Sequence, residues 1–387
     1  MRCPHCQAPN ADDARFCGSC GKATQSTEPV SSSNLGEAPA MIGREIAGRY
    51  RILAKLGEGG MGTVYRAEQI SLKRTVALKL LRPDVGNNAI LLRRFNAEAE
   101  AVAKLGHPNT VNIFDFGQDT DGSLFIAMEY IEGRSLRVAI HADAPLPIRR
   151  ALAIALQVCS SIADAHMHSI IHRDLKPDNV MLQDRGRTRD VVRVLDFGIA
   201  KLRDDTRATH AMTQAGDMLG TPQYMAPEQI RAEAIDGRTD VYALGCMLYE
   251  MITARLPFEA PTVMALLSKH LLEQPPPPSQ RRPDLGIPAF IDELVMGAMA
   301  KSPDQRPATM ELFGEHIAAI LATLPGDPSQ PSSGSVGVPY VPPAVARYET
   351  PAAHSAFAPP TGPPAGAAPF APRTGPPTGP PPPSTPT

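Results

Sequence analysis

The sequence predicts an α+β fold in which most strands come first along the chain and most helices follow. Strand-like runs cluster between Tyr50 and Tyr130, where a glycine-rich stretch separates the first two of them. The longest helical patterns lie at about Asn88 to Leu105 and at Pro147 to His168, and a further one starts at Asp240. Strands and helices segregated in this way favour an α+β arrangement over alternating α/β units.

The overall composition narrows the classes of function. The 387 residues carry 38 Lys and Arg against 40 Asp and Glu, a formal net charge of -2. By length alone the chain accommodates about two or three domains with a sizeable core. A balanced charge gives no electrostatic reason to expect a nucleic-acid binder or a polybasic membrane anchor, so the function must be sought in local groups of residues.

The sequence also bears on location. No window reaches the roughly 18 to 20 consecutive apolar residues that a membrane-spanning helix needs. The start, Met1-Arg2-Cys3-Pro4, lacks the apolar core of a signal peptide. We therefore expect a cytoplasmic protein without membrane insertion, in which cysteines bind metal more readily than they form disulfides.

The sequence of residues 1–22 predicts a zinc ribbon, and that of residues 23–48 predicts a flexible linker. The ligands would be two Cys-x-x-Cys pairs: Cys3, Cys6, Cys17 and Cys20. Two such turns can present four thiolates to one tetrahedral zinc ion, which would supply most of the folding energy of so small a unit. A redox dithiol pair is the alternative, whereas a catalytic metal is disfavoured because four thiolates leave no open position. Nothing basic or aromatic in the ribbon favours nucleic-acid binding.

The glycine-rich stretch after Tyr50 predicts a phosphate-binding lid. Leu56 is followed by Gly57-Glu58-Gly59-Gly60-Met61-Gly62, and Thr63-Val64 continues as a strand. Glycines let backbone N–H groups approach phosphates. A continuing strand favours a hairpin over the Rossmann arrangement, in which a helix directly follows the glycines. The next strand, Val76-Ala77-Leu78-Lys79, ends in an ammonium suited to neutralising phosphate charge.

The helix predicted at about Asn88 to Leu105 offers a carboxylate partner for Lys79. Its apolar positions repeat at helical spacing: Leu91, Phe95, Val102 and Leu105. Glu98 lies close to that apolar face, whereas Glu100 is two residues further on and points elsewhere. We therefore expect an ion pair between Lys79 and Glu98.

The run Leu124 to Tyr130 predicts another strand, and Gly133 then releases the chain into a connector where an adenine-binding hinge would lie. The helix at Pro147 to His168 leads into His166-x-His168-x-x-x-His172. We interpret these histidines as satisfied core and loop residues rather than metal ligands, because no carboxylate partner is in register with them.

The densest group of polar residues is His172-Arg173-Asp174-Leu175-Lys176-Pro177-Asp178-Asn179. An Asp can accept a hydroxyl proton, a Lys two residues on can hold phosphate oxygens, and an Asn can bind magnesium. This stretch therefore indicates phosphoryl transfer.

Together these motifs resemble those of the bacterial eukaryotic-type (Hanks-type) serine/threonine protein kinases. The glycine-rich loop, the Val-Ala-x-Lys strand, the catalytic loop, Asp196-Phe197-Gly198 and Ala226-Pro227-Glu228 occur in the family order with the family spacing. The resemblance covers about Tyr50 to Ala322, and we expect the kinase domain over residues 49–322. It implies a two-lobed protein kinase fold, with a small, mainly β N-lobe and a larger, mainly α C-lobe.

The resemblance also implies roles for individual residues. The catalytic residues would be Asp174, Lys176, Lys79, Glu98, Asn179 and Asp196. Asp174 would orient and deprotonate the acceptor hydroxyl, and Lys176 would steady the γ-phosphate of ATP. Asn179 and Asp196 would hold Mg²⁺, with Mn²⁺ as an alternative. Lys79, fixed by Glu98, would hold the α- and β-phosphates.

The nucleotide itself would be enclosed on three sides. The lid from Leu56 to Val64 would close over it, with Val64 and Ala77 above the adenine and Met181 below. Met128 would be the gatekeeper, and the hinge would run from Glu129 to Ile131.

The activation segment would extend from Ile199 to Met225. In the family, an Arg that precedes the catalytic Asp, here Arg173, meets a phosphothreonine. We therefore expect autophosphorylation at Thr213, with Thr209 as the second candidate. Thr221 would pack against the catalytic loop and set Ser/Thr over Tyr as the acceptor.

Two further residues would be structural. Asp240 would brace the backbone of the catalytic loop, and Arg306 would pair with Glu228. Removing one partner of such a pair is expected to cost about 3 to 5 kcal/mol where it is buried.

Residues 323–387 are rich in Pro, Gly and Ala and predict a disordered tail. Within it, Phe357-Ala358-Pro359-Pro360-Thr361-Gly362 recurs almost unchanged from Phe370. A polyproline-II ligand for a groove on a partner protein is the alternative to a plain linker, and phosphorylation of its Thr residues in cis is a further option.

The main expectation is an active kinase whose partners are protein substrates with Ser or Thr acceptors. The alternative is a non-catalytic, pseudokinase-like scaffold that assembles partners through the ribbon and the tail. The catalytic groups retained in the sequence favour the enzyme. The oligomeric state stays open.

Overall fold

The computed structural model describes residues 41–59, 62–81, 89–197 and 222–325. The described strands are β1 (Glu45–Ile46), β2 (Tyr50–Gly59), β3 (Gly62–Gln69), β4 (Arg74–Leu81), β5 (Ile113–Gln118), β6 (Leu124–Glu129), β7 (Arg134–Ser135), β8 (Val180–Arg185) and β9 (Thr188–Val194). The described α-helices are α1 (Ala89–Ala103), α2 (Leu136–Asp143), α3 (Ile148–Met167), α4 (Pro227–Ile230), α5 (Arg238–Thr253), α6 (Val263–Leu272), α7 (Pro278–Arg281), α8 (Ala289–Ala298) and α9 (Met310–Thr323). Short 3₁₀ turns lie at Pro177–Asn179, Pro222–Tyr224, Pro283–Leu285 and Pro303–Gln305.

The first six strands form an antiparallel sheet in the order β1-β2-β3-β4-β6-β5. The strands predicted from the sequence correspond to β2, β3, β4 and β6, although the run predicted to end at Tyr130 ends at Glu129. The glycine-rich stretch joins β2 to β3 as a hairpin, with Gly59 paired to Gly62. The hairpin interpretation is therefore confirmed over the Rossmann one.

Residues ahead of β2 and at its start connect the two ends of this sheet, which the sequence did not indicate. Arg44 lies 2.8 Å from Asp119 and 2.7 Å from Asp121, both beyond β5. The Tyr50 hydroxyl donates to Asp115 of β5 at 2.7 Å. Because β1 and β5 are the opposite edges of the sheet, these contacts close it into a curved half-barrel.

Helix α1 packs on this sheet through the apolar stripe that its sequence predicts. Phe95, Val102 and Leu105 are buried, and the Phe95 ring meets Phe116 of β5 edge-on, with centroids 6.2 Å apart. Glu100 is exposed and lies 3.0 Å from Lys104 on the same helix. Glu100 thus points away from the sheet, as expected.

The remaining helices form a second unit around α5, whose residues from Thr239 to Thr253 are all buried. Helix α3 packs against α5 and α9. Gly245 is required where α5 meets α8, since a Cβ there would lie 2.9 Å from the Ala298 Cβ. Cys246 is buried in the same core, and burial raises the pKa of its thiol to about 12. A thiol in that state is an inert packing group.

A small sheet in the order β7-β8-β9 lies where the two parts meet. Val194 of β9 bridges to Thr110, which precedes β5, and Val111 N–H donates to Val194 O at 3.0 Å. The two-lobed α+β architecture is confirmed. None of the helices in the described ranges combines the length and apolar character needed to span a bilayer.

Candidate active site

Asp240 fixes the backbone of the loop that carries the predicted catalytic residues. Its carboxylate, at the start of α5, accepts the N–H groups of His172 at 2.8 Å and Arg173 at 2.9 Å. Arg173 has a left-handed φ of 62°, which such bonds help to hold. Burial favours the neutral acid, but the His166 hydrogen bond and the nearby His172 outweigh it and keep the pKa of Asp240 below its ordinary value. The predicted brace is confirmed.

The neighbouring histidines are structural, as the sequence indicated. His166 Nε2 lies 2.8 Å from Asp240 Oδ2, and His168 Nδ1 lies 2.8 Å from the Asp164 carbonyl oxygen. His172 is fully buried, and its Nε2 is 2.9 Å from Leu195 O.

Asp174, Lys176 and Asn179 converge at the open side of this loop. Lys176 Nζ donates to Asp174 Oδ2 at 2.8 Å. The 3₁₀ turn Pro177–Asn179 brings the Asn179 amide back, so that its Nδ2 donates to Asp174 O at 2.8 Å and to Oδ2 at 3.3 Å. The Asp174 side chain stays 26% exposed. A carboxylate in this position is oriented by an ammonium and an amide yet accessible to a hydroxyl.

Lys79 forms an ion pair with Asp196. The Lys79 Nζ lies 2.8 Å from Asp196 Oδ1. Glu98 is half-buried on α1, and its pairing with Lys79 stays a prediction. Asp196 has a left-handed φ of 55°.

The contact with Lys79 also determines the charge of Asp196. Burial favours its neutral form, but the Lys79 ammonium outweighs burial, and the pKa of Asp196 lies below its ordinary value. Phe197 follows it, is buried, and lies against His172 with ring centroids 4.9 Å apart. The strand end that carries Asp196 is thus packed onto the catalytic loop.

Most of the residues predicted to enclose a nucleotide lie on the six-stranded sheet, and Met181 lies on β8. Ala77 and Met128 are register partners on β4 and β6, and both are buried. Val64 pairs with Lys79 in register and is half-buried, as is Met181 of β8. Ile131 is buried, whereas Leu56, Gly57, Glu58 and Gly59 are exposed.

Gly62 is required at the base of the lid for a steric reason. A Cβ at this position would lie 2.0 Å from the backbone oxygen of Leu80. Only glycine lets β3 approach β4 this closely. The half-buried Thr63 follows it.

A buried arginine beside the predicted hinge is a residue that sequence reasoning missed. Arg193 Nη2 donates to Glu129 Oε1 at 3.1 Å. The signal was a single charge inside the apolar run Val191-Val192-Arg193-Val194, because a charge in a buried strand needs a partner.

Several predicted site residues lie outside the described ranges. They are Gly60, Met61, the regulatory candidates Thr209, Thr213 and Thr221, and the zinc ligands Cys3, Cys6, Cys17 and Cys20. Within the described ranges, no group of three or more His, Cys, Asp and Glu is arranged to hold a metal ion. The predicted magnesium donors there are the pair Asn179 and Asp196.

Two family models match the sequence: a protein kinase domain over residues 50–316 and a zinc-ribbon domain over residues 2–24. The serine/threonine-protein kinase pkn3 of Myxococcus xanthus is 46% identical over 279 residues, which are 72% of this chain and 51% of pkn3. The serine/threonine-protein kinase PrkC of Bacillus subtilis (strain 168) is 41% identical over 271 residues, 70% of this chain and 40% of PrkC. The chain thus spans about half or less of the length of these relatives.

A similar solved structure is the kinase domain of Mycobacterium tuberculosis PknI. The superposition has a TM-score of 0.56 at 29% sequence identity, and it covers 73% of this chain and 99% of that domain.

Proposed function

The chain belongs to the protein kinase family, and we propose that it transfers the γ-phosphoryl group of ATP to Ser and Thr hydroxyls of proteins. The observation that carries this proposal is the convergence of Asp174, Lys176 and Asn179 on one side of the cleft, opposite the Lys79–Asp196 pair. The names of the relatives, serine/threonine protein kinases, support the choice of acceptor.

The residues on the loop divide the chemistry between them. Asp174 accepts the proton of the acceptor hydroxyl as the phosphoryl group is transferred, and its orientation comes from Asn179. Lys176 offsets the negative charge that develops on the transferred group. Because phosphoryl transfer needs little covalent help, alignment and positive charge account for most of the catalysis.

The donor set at the end of β9 suits a divalent cation such as Mg²⁺. Asn179 uses its amide nitrogen for Asp174, which leaves the amide oxygen as a ligand. Asp196 is held ionised by Lys79. Carboxylate and amide oxygens are the ligands that Mg²⁺ and Mn²⁺ prefer. When bound, such an ion neutralises the phosphate oxygens of ATP.

The test compares transfer of a radiolabelled phosphoryl group to a generic protein substrate by the wild type, Asp174→Asn and Asp178→Asn. Loss of the general base should lower the rate by about 10²- to 10⁴-fold. Asp178 carries the same charge in the same loop but is 49% exposed and lies 3.4 Å from Arg137, so its variant should keep the wild-type rate. Equal rates in the wild type and Asp174→Asn would favour a non-catalytic scaffold.

We further propose that autophosphorylation of Thr213 or Thr209 activates the enzyme. A phosphate on the activation segment would form charge-assisted hydrogen bonds with Arg173. A Thr213→Ala, Thr209→Ala enzyme should therefore lose most of its activity, whereas wild-type activity in that double variant would refute this role.

The zinc-ribbon match supports a structural Zn²⁺ held by the four N-terminal cysteines. We also propose that the ribbon and the tail select protein partners. Metal analysis of the purified chain should then give about one Zn²⁺ per molecule and none after Cys3→Ser. An unchanged zinc content would reject the site. ATP is supplied in the cytoplasm, so cytoplasmic signalling is the setting we propose.

A further inference from the structure

Arg193 is a buried charge near the end of a strand, between Val192 and Val194. It lies in β9, and its side chain is only 7% exposed. Burial lowers the pKa of Arg193, yet a guanidinium keeps its charge under all ordinary conditions. A buried charge of this kind destabilises a protein unless partners compensate it. Its partners therefore indicate why the position holds an arginine.

The guanidinium contacts two segments that border the cleft. Nη2 donates to Glu129 Oε1 and Nη1 to the Thr110 carbonyl oxygen, each at 3.1 Å. Asn112 Nδ2 donates to the other Glu129 oxygen at 2.9 Å, and Glu129 N–H donates to Asn112 O, also at 2.9 Å. Arg185 lies further away, 3.6 Å from Glu129, and is half-exposed. Both carboxylate oxygens and the backbone N–H of Glu129 are thus held.

These contacts link the parts that would enclose an adenine. Glu129 ends β6 and opens the hinge. Arg193 pairs in register with Met181, the residue predicted to lie below the adenine. Asp196 follows three residues after Arg193 along the chain. One side chain therefore ties the hinge to the floor of the cleft and to the strand that carries a predicted magnesium ligand.

We propose that Arg193 is a positioning residue for ATP. Through its contacts with Glu129 and Thr110 it fixes the distance between the hinge and β8, which forms the floor of the cleft. It does not touch the nucleotide. The proposal rests on the kinase function proposed above and goes beyond it, because it concerns how tightly the nucleotide is bound rather than whether phosphoryl transfer occurs.

A positioning role of this kind predicts a specific kinetic pattern. A hinge that holds the adenine, away from the transferred phosphoryl group, would contribute equally to the ground state and the transition state. Loosening it should therefore raise KM for ATP and leave kcat nearly unchanged. Loss of one charge-assisted hydrogen bond, about 1.4 kcal/mol, corresponds to about a tenfold weaker binding. A general loss of stability would instead reduce the folded fraction without changing KM.

The experiment measures KM and kcat for ATP, and the dissociation constant of a non-hydrolysable ATP analogue, in the full chain. Arg193→Met should raise KM and the dissociation constant about tenfold. Glu129→Gln should raise both similarly, and the two changes together should add little to either alone because they remove the same contact. Glu129 is 20% exposed, so its variant tests the idea even if Arg193→Met does not fold.

Arg150→Met is the matched control. Arg150 anchors the same strand through Asp190, at 2.7 Å and 3.0 Å, but does not touch the hinge. It should lower stability and leave KM for ATP unchanged.

Three results would overturn the proposal: wild-type KM and analogue binding in folded Arg193→Met and Glu129→Gln, an equal rise in KM in Arg150→Met, or a raised kcat at unchanged KM. The last result would mean that the contacts of Arg193 and Glu129 slow phosphoryl transfer instead of positioning ATP. A wild type that binds no analogue and transfers no phosphoryl group would instead reject the kinase function itself.

Discussion

Replacing Glu228 with Gln should lower the free energy of unfolding by about 3 to 5 kcal/mol, because it leaves a buried arginine without its counter-charge. Arg306 and Glu228 meet side by side, with Nη1 2.8 Å from Oε1 and Nη2 2.9 Å from Oε2. The side chains are 0% and 3% exposed, so solvent cannot take over the lost contact. The predicted pair is confirmed.

The size of the expected loss in the free energy of unfolding follows from the hydrogen bonds that Arg306 donates. Its Nε donates to Ala300 O at 2.7 Å, and its remaining Nη hydrogens reach Arg238 O at 2.9 Å and Lys301 O at 3.1 Å. All five N–H donors of the guanidinium are therefore used. Gln keeps the shape of Glu228 but loses the charge and brings an amide NH₂ towards the guanidinium. The variant thus loses a bidentate, charge-assisted pair.

Urea unfolding, followed by circular dichroism and extrapolated to water, measures the change. The control is Asp304→Asn, which removes a partner of Arg238 at 2.6 Å that is 85% exposed. Exposed pairs contribute about 0 to 1 kcal/mol, so the control should differ little from the wild type. A loss below about 1 kcal/mol in Glu228→Gln would refute the view that burial decides the strength of this pair.

The same pair predicts a pH dependence. Burial favours the neutral form of Glu228, but the hydrogen bond from Arg306 outweighs it and depresses the pKa below the ordinary 4.5. A depressed pKa means that the unfolded chain binds the proton first as pH falls. The stabilisation is thus fully present above pH 4.5 and is lost as pH falls through the folded pKa. The difference between the wild type and Glu228→Gln should shrink only in that acidic range.

Two further substitutions test other contacts. Asp240→Asn should lower the free energy of unfolding by about 1 to 3 kcal/mol and also reduce kcat, because it weakens the bonds to the His172 and Arg173 backbone; urea unfolding and initial rates measure the two, and an unchanged kcat would contradict the brace. Tyr50→Phe should cost about 0.5 to 1.5 kcal/mol by removing the bond to Asp115, and wild-type stability in that variant would show that this contact does not close the half-barrel.

Much of the cleft was predictable because its parts are local in sequence. Asp174, Lys176 and Asn179 lie within six residues, so one loop followed by a 3₁₀ turn suffices to bring them together. The strands and helices around them are predictable from apolar periodicity, because each buries one face in the core. The Gly186-Arg187 turn, with Gly186 at a φ of 61°, joins β8 to β9 as a hairpin, and a glycine between two strand-like runs is a sequence signal for such a turn.

Pairings across the fold were harder to predict. Lys79 lies on β4 and Asp196 follows β9, and the structure brings the ammonium within 2.8 Å of the carboxylate. Arg193 of β9 and Glu129 of β6 meet in the same way. No local sequence pattern encodes such contacts, because they depend on how distant strands pack.

Arg306 and Arg193, both buried and both with carboxylate partners, show what separates a structural pair from one that shapes the cleft. All five donors of Arg306 have acceptors, and its surroundings form part of the helical core. Arg193 is buried as deeply, yet its Nε has no hydrogen-bond acceptor among the described residues. An unmet buried donor destabilises the fold by about 1 to 3 kcal/mol. Stability alone would favour an apolar residue at this point of β9. The contact with Glu129 at the hinge is the gain that accounts for an arginine there, and this is why KM for ATP is the diagnostic quantity when Arg193 is replaced.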